Sequence, residues 1–297
     1  MQSIRLLPLP IKPVDLSVFE QKNIWVQVLR LDKTHPLVSG NKWYKLKEYL
    51  QDAEKQNKRT IITFGGAYSN HIHATAAICQ AYGFRSVGII RGEQPSVLSP
   101  TLTDAKAWNM ELHFVSRTYY KAKHIPDILL HKYPDHYIIN EGGYGEEGMK
   151  GATDILTIPN KNAYSHIIAA VGTGTTLAGI ISAKEPWQKA IGISVMKNNF
   201  DLEKAIQQLT GKDEAATLLH DYHFGGYAKY TAELVVFMND WYRQTHIPSD
   251  FVYTGKLFFA VNQLIQKNYF TPGSRLLIVH SGGLQGNRSL PKGTLIF

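Results

Sequence analysis

An α/β fold of two open, mostly parallel sheets with helices on both faces is what this sequence predicts, from three observations. Short, uninterrupted apolar runs alternate with helical patterns along most of the 297 residues, the signature of βαβ units whose strands are buried on both sides. Several of those runs end in glycine-rich polar turns, where ligands of open α/β sheets collect. The alternation falls in two blocks. A glycine-rich acidic joint, INEGGYGEEGMKG (139–151), separates them and reads as a loop or as the crossing from one layer system to the next.

In chain order, IWVQVLRL (24–31) reads as a strand and NKWYKLKEYLQDAEKQN (41–57) as a helix. TIITF (60–64) is a strand, followed by the turn GGAYSN, the helix HIHATAAICQAYG (71–83) and the strand SVGIIRG (86–92). SHIIAAVGTGTTLAGIISAK (165–184) reads as strand, glycine loop and helix, and SRLLIVHSGG (274–283) repeats strand then glycine.

Composition narrows the function. Hydrophobic residues make up 44% of the chain and aromatics 11%, as in a folded globular protein. The net charge of +8 favours anionic ligands. No run of five Lys/Arg concentrates it, so a nucleic-acid partner is not expected. The single cysteine, Cys79, excludes an internal disulfide and a cysteine-cluster zinc site and reads as a buried helix residue. MQSIRLLPLPIKP carries three prolines and no long apolar core, so a signal peptide is not expected, and no stretch reaches the ~20 apolar residues of a membrane span. A cytoplasmic protein is expected.

Four turns are candidate sites. In VGTGTTLAG (171–179), Gly172 and Gly174 let backbone N–H groups converge, Thr173, Thr175 and Thr176 add hydroxyls, and a helix start adds positive potential. Leu177 stands where a dinucleotide fingerprint needs its third glycine, and the loop has no Walker lysine, so a phosphate on a non-nucleotide cofactor fits best. A plain tight turn is the alternative. In TFGGAYSNHIHATAA (63–77), Ser69 and Asn70 either cap a helix or serve a ligand. His71 and His73 are two apart, diverge on a helix and make no metal pair. Tyr227, after the double glycine of FGGYAKYTAEL, and Tyr253, in DFVYTGKLFFAV, are ordinary packing residues or site residues, and VHSGGLQG (279–286) is a further polar turn. SGNKWYKLKEYL (39–50) places Lys42 directly on a glycine turn, whereas Lys45 and Lys47, three and five residues on, are expected to point elsewhere. A phosphate cradle combined with a lysine suggests pyridoxal 5'-phosphate, an aldehyde cofactor that forms a Schiff base.

These elements resemble, in order, those of the 1-aminocyclopropane-1-carboxylate (ACC) deaminase/D-cysteine desulfhydrase family, pyridoxal-phosphate enzymes of the tryptophan-synthase-β-like fold (fold type II). SGNKWYKLKEYL is similar to GGNK-x-RKLE-x-L, GGAYSNH to GG-x-QSN-Q/H, and VGTGTTLAG to the phosphate loop. GGYAK is similar to the GYG segment, DFVYTGK to DPVY-T/E-GK, and VHSGG to H-T/L-GG. The resemblance implies that Lys42 carries the cofactor and moves the substrate α-proton, that Lys45 lies near the phosphate, and that residues 172–176 hold it. It further implies that Asn70 bonds the ring hydroxyl, Thr254 partners the pyridine nitrogen, and Ser69, Tyr227 and Tyr253 act on substrate. Stacked near the protonated Schiff base and the cofactor, Ser69 and Tyr253 are expected to have their ionised forms favoured by that positive charge.

A neutral threonine on the ring nitrogen makes a weaker electron sink than a carboxylate and suits prompt expulsion of a β-leaving group. Threonine resembles the desulfhydrase branch, glutamate the ACC deaminases. The expected activity is therefore β-elimination on a small amino acid such as D-cysteine. ACC ring opening, a pyridoxal-phosphate-binding protein with little turnover, or a nucleotide binder are the alternatives. Ser39, Tyr44, Tyr68, Phe251, Ala228 and Lys229 depart from the family pattern. The expected organisation is a large cofactor domain, 1–44 plus 144–297, a small domain, 45–143, and a homodimer.

Overall fold

The computed structural model describes residues 9–35, 38, 40–212 and 216–297. Its strands are β1 (Ile11–Pro13), β2 (Trp25–Arg30), β3 (Thr60–Gly65), β4 (Arg85–Arg91), β5 (Glu111–Val115), β6 (His136–Ile139), β7 (His166–Val171), β8 (Lys189–Ser194), β9 (Thr217–Leu219) and β10 (Arg275–His280). The helices are α1 (Ser17–Gln21), α2 (Asn41–Lys55), α3 (Asn70–Tyr82), α4 (Pro100–Ala107), α5 (Arg117–Lys121), α6 (Asp127–Lys132), α7 (Glu146–Thr153), α8 (Thr175–Ala183), α9 (Leu202–Thr210), α10 (Ala232–Thr245) and α11 (Thr254–Gln266).

Two parallel-sheet domains result. The larger sheet runs β1-β2-β10-β7-β8-β9 and the smaller β5-β4-β3-β6. Every pairing is parallel except β1 on β2. The joint at 139–151 is where the chain leaves β6 of the small sheet and enters α7 before β7 of the large one.

Period-two alternation explains why both faces are covered. Ile168 and Ala170 of β7, with Leu276 and Ile278 of β10, pack on Phe19 of α1, Trp241 of α10 and Leu257 and Phe258 of α11. Their neighbours Ile167, Ala169, Leu277 and Val279 face a second core with Leu46 and Leu50 of α2, Ala152 of α7 and Leu177 of α8. That second core also takes in Ile61 of β3 and Ile78 and Cys79 of α3, so α2 joins the two sheets through continuous apolar packing. Cys79 is fully buried, as expected, and burial pushes its thiol pKa up. Among the described residues no helix is long and apolar enough to cross a membrane, and no cluster of His, Cys, Asp and Glu could hold a metal ion.

α2 begins under tight constraint. Gly40 has φ +74° and ψ −161°, a region essentially confined to glycine. A Cβ there would lie 2.0 Å from the Ser281 carbonyl oxygen. Gly40 N–H donates to Leu31 O (2.8 Å) and Asn41 N–H to Ser281 O (3.1 Å), so the turn is clamped between the ends of β2 and β10. We expect Gly40→Ala to lower the unfolding free energy by at least about 2 kcal/mol, strain and overlap acting together. Gly83→Ala should cost only about 1 kcal/mol, because its φ of +71° opens onto empty space. Urea denaturation measures both, and equal small losses would contradict the clamp.

Candidate active site

The carboxyl ends of both sheets open onto one cleft of about 1300 Å³. Residues that follow β7 (Gly172, Thr173, Gly174, Thr176), β10 (Ser281–Gly283) and β3 (Gly66–Asn70) line it, with Lys42 and Lys45 of α2 between them. Tyr227, Tyr253, Arg91 and Glu141 also line it. All four turns singled out in the sequence meet here.

Lys42 is the second residue of α2. Its amine donates to Asn41 Oδ1 (3.0 Å), and Asn41 Nδ2 donates to Thr176 Oγ1 (2.8 Å), so the lysine and the glycine loop are tied by one side chain. Burial pulls the Lys42 pKa down to about 8, against the opposing charge of Asp250. Lys45 does not point elsewhere. Three residues along a helix is the same face, and Lys45 lines the same cleft, donating to Gly142 O at 3.0 Å. Burial and then the charge of Lys42 hold its amine well below the usual lysine range. Lys47 does leave the cleft, pairing with Asp154.

The glycine loop is a cradle. Gly172 packs under Tyr253, where a Cβ would meet the ring at 3.2 Å, and Gly174 (φ +84°) would set a Cβ 2.7 Å from Ile206. The first N–H groups of α8 have no partner within the helix. Thr173 and Thr176 face the cleft. Thr175 does not: it is fully buried, and its hydroxyl lies 3.2 Å from that of Thr173.

Ser69 caps α3, its Oγ accepting from Ile72 N–H at 3.3 Å, and still lines the cleft, so capping and site coexist. Asn70 Oδ1 accepts from Gln285 Nε2 at 2.5 Å, which leaves the Asn70 N–H donors facing the Gly283 turn. His71 and His73 are both buried and diverge. Thr63 spends its hydroxyl proton on Ile139 O (2.6 Å), so it accepts from His71 Nε2–H at 2.8 Å. Burial, then the charges of Lys42 and Lys45, keep His71 neutral, and its buried Nδ1 has no hydrogen-bond partner.

The Tyr227 and Tyr253 rings meet edge to face, 6.0 Å apart. Burial raises both hydroxyl pKa values, Tyr253 well above the ordinary range, with Tyr227, Asp250 and Glu141 adding to the rise at Tyr253. From the protein's own groups alone, Tyr253 stands as a neutral phenol, a proton donor. Lys256, fully buried, donates to His223 O (2.9 Å) and Gly226 O (2.8 Å) and fixes the glycine loop that carries Tyr227.

Thr254 also departs from expectation. It is fully buried and does not line the cleft. Its hydroxyl donates to Asp250 Oδ1 (2.7 Å) and accepts from Asp250 N–H (2.7 Å), so its one proton is committed. The Asp250 carboxylate also takes the N–H groups of Val252, Tyr253 and Thr254 at the start of α11. The hydroxyl that faces the cleft is Ser281, half-buried and with no side-chain hydrogen bond among the described residues. Ser281, Arg91, Glu141 and Asp250 were missed from sequence. Of these only Ser281 had a signal, its place after the last strand.

The Lys42 amine should titrate accordingly. In protein freed of bound ligand, the pH dependence of Lys42 modification by an amine-reactive reagent, followed by peptide mapping, should show a midpoint near pH 8. A midpoint near the ordinary 10.5 would contradict the burial described.

Comparison with known proteins agrees with this geometry. The profile of the family described as "Pyridoxal-phosphate dependent enzyme" matches residues 14–282. A putative ACC deaminase of Pyrococcus horikoshii is 28% identical over 280 residues, 88% of this chain and 85% of that protein. The bifunctional D-cysteine desulfhydrase/ACC deaminase of Arabidopsis thaliana mitochondria is 26% identical, covering 96% of this chain and 78% of its own length. The crystal structure of an ACC deaminase homologue superposes with a TM-score of 0.81 at 26% identity, over 96% of this chain and 92% of that one. With a lysine, a phosphate-sized cradle and hydroxyls meeting in one cleft, and with the family profile spanning most of its length, this chain belongs to the pyridoxal-phosphate-dependent enzymes.

Proposed function

We propose that the chain is a lyase acting on a small amino acid, with D-cysteine as the leading substrate: D-cysteine and water give pyruvate, ammonia and hydrogen sulfide. Opening of the ACC ring is the second reading, supported by the paired activities of the Arabidopsis relative. The observation that carries the proposal is the tie from Lys42 through Asn41 to Thr176, which sets a reactive amine beside an anion cradle.

The residues fit pyridoxal phosphate. The amine of Lys42 would hold its aldehyde carbon, and the Gly172–Thr176 loop its phosphate, through backbone N–H groups and the Thr173 and Thr176 hydroxyls. Asn70 would serve the ring hydroxyl. Ser281 replaces Thr254 as the hydroxyl open to the ring nitrogen. When bound, the group supplies an electron sink conjugated with the substrate amine. A neutral serine leaves that sink weak, since the Asp250 carboxylate is occupied in capping α11, and this favours early loss of a β-substituent.

The protein's own groups do the rest. The N–H groups at the start of α3 receive the substrate carboxylate, and the Ser69 hydroxyl beside them handles a proton. Lys42, its pKa drawn by burial from 10.5 down to about 8, holds a neutral fraction at physiological pH far larger than an ordinary lysine's, and that form can take the α-proton. Tyr253, held as a neutral phenol, is positioned to give a proton to the departing group, and Tyr227 packs over it. We further propose domains of 1–44 plus 144–297 and of 45–143, on the strand partition, and a cytoplasmic homodimer, on the family resemblance.

Borohydride reduction of the loaded protein should place the pyridoxyl label on Lys42, with Lys45 unlabelled. Ser69→Ala and Tyr253→Phe should keep the cofactor's visible absorption and lose ~10²–10⁴-fold in pyruvate formation. Label on another lysine, or near wild-type turnover in both variants, would reject these roles. A second pair separates the two hydroxyls. Ser281→Ala should shift the cofactor absorption, whereas Thr254→Val should leave it in place and cost about 1.5–3 kcal/mol of stability through its lost bond to a charged carboxylate.

A further inference from the structure

The wall of the cleft formed by the small sheet carries more charge than an ordinary amino acid requires. Arg91, Arg117, Lys121 and Lys123 line it, against one carboxylate, Glu141. Glu141 is taken by Lys123, at 2.5 Å. Arg91, Arg117 and Lys121 have no acidic partner among the described residues. Arg91 ends β4, and its Nη2 lies 3.5 Å from where a Cβ on Gly66 would stand, on the turn leading to Ser69. Arg91 and Lys123 both lie against Tyr120, with the Arg91 guanidinium carbon 5.8 Å and the Lys123 amine 3.4 Å from the ring centroid. The Arg91 charge also reaches the Tyr227 hydroxyl. A guanidinium without an acidic partner among the described residues thus stands close to the turn that leads to Ser69 and within electrostatic reach of Tyr227.

We infer that this wall recognises a second anionic group, so that, beyond D-cysteine, the site takes α-amino acids whose side chain ends in a carboxylate, phosphate or sulfonate. The amino-acid part rests on the lyase reading; the anion part rests on the wall. On the lyase reading the first N–H groups of α3 receive the substrate's α-carboxylate, which would leave Arg91 for another group. A guanidinium offers a planar fork that matches a carboxylate or phosphate with two parallel hydrogen bonds. Like charges lining one wall repel one another, and an anion bound among them relieves that repulsion. The elongated side chain would run from the α-carbon, near Lys42, past the tyrosines towards Arg91.

The test uses ligands without an amino group, which cannot react with the cofactor and so report on the wall whether or not any amino acid turns over. Succinate, 3-phosphonopropionate and 3-sulfopropionate are compared with butyrate by calorimetric titration of the cofactor-loaded protein at constant ionic strength. The dianions should bind about tenfold or more tightly than butyrate, and Arg91→Met should reduce that ratio to about three or less. The three dianions distinguish carboxylate, phosphate and sulfonate as the preferred group. An Arg117→Met/Lys121→Met double variant, at exposed positions, should lower the ratio partway and guards against misfolding of the Arg91 variant. Equal affinities for butyrate and all dianions in the wild type would overturn the inference. So would Arg91→Met weakening butyrate and dianions by the same factor, since Arg91 would then hold the α-carboxylate. The lyase reading fails by a different result, a borohydride label away from Lys42.

Discussion

The approach of the Gly40 turn to the Ser281 carbonyl is the constraint on which the rest of the site depends. At 2.0 Å from a would-be Cβ, it admits only glycine, and it fixes the first residue of α2 beneath the end of β10. Asn41 then bonds outward to Thr176, and Lys42 bonds back to Asn41. One close contact therefore sets three things at once: the origin of the helix, the position of the amine, and its distance from the anion cradle. The two sheets meet around this point because α2 packs on residues of both.

Buried polar groups around the amine are arranged so that little charge is stored near it. Lys42 and Lys45 are driven towards neutrality by burial and, at Lys45, by the neighbouring amine. His71 is neutral for the same reasons, and Tyr253 keeps its proton. Asp250, whose charge reaches Lys42, is held behind the wall by three backbone N–H groups and one hydroxyl. The interior of the cleft thus holds little charge beyond that of Lys42, and the remaining cations gather around Arg91. That division suits a cofactor and substrate that bring their own anions.

Much of this was legible in the sequence. The long, apolar strands β2, β3, β4, β7 and β10 were visible because burial on both faces leaves an uninterrupted run of Val, Ile and Leu. β1 and β9, three residues each on the sheet edge, and β5, half-buried and carrying Glu111 and His113, have too little pattern to be read. The four glycine turns were found because backbone approach to a ligand demands that residue type. Spacing misled at Lys45, since three residues along a helix returns to the same face. Thr254 misled because a motif gives a residue's place and not its rotamer; the side chain turned inward to Asp250. Arg91 had no signal, as a lone arginine at a strand end is indistinguishable from solvent-facing ones until the small sheet is folded against the large. Ser39, one of the departures from the family pattern, lies outside the described residues.

The central claim is that Lys42, the 172–176 loop and Ser281 grip one pyridoxal phosphate molecule at three points. A crystal structure of the borohydride-reduced, cofactor-loaded protein tests it most directly. It should show the pyridoxyl carbon on Lys42 Nζ, the phosphate against the N–H groups of residues 172–176, and the ring nitrogen within hydrogen-bond distance of Ser281 Oγ. A ring nitrogen facing Thr254, with that side chain swung away from Asp250, or a phosphate seated outside the glycine loop, would contradict it.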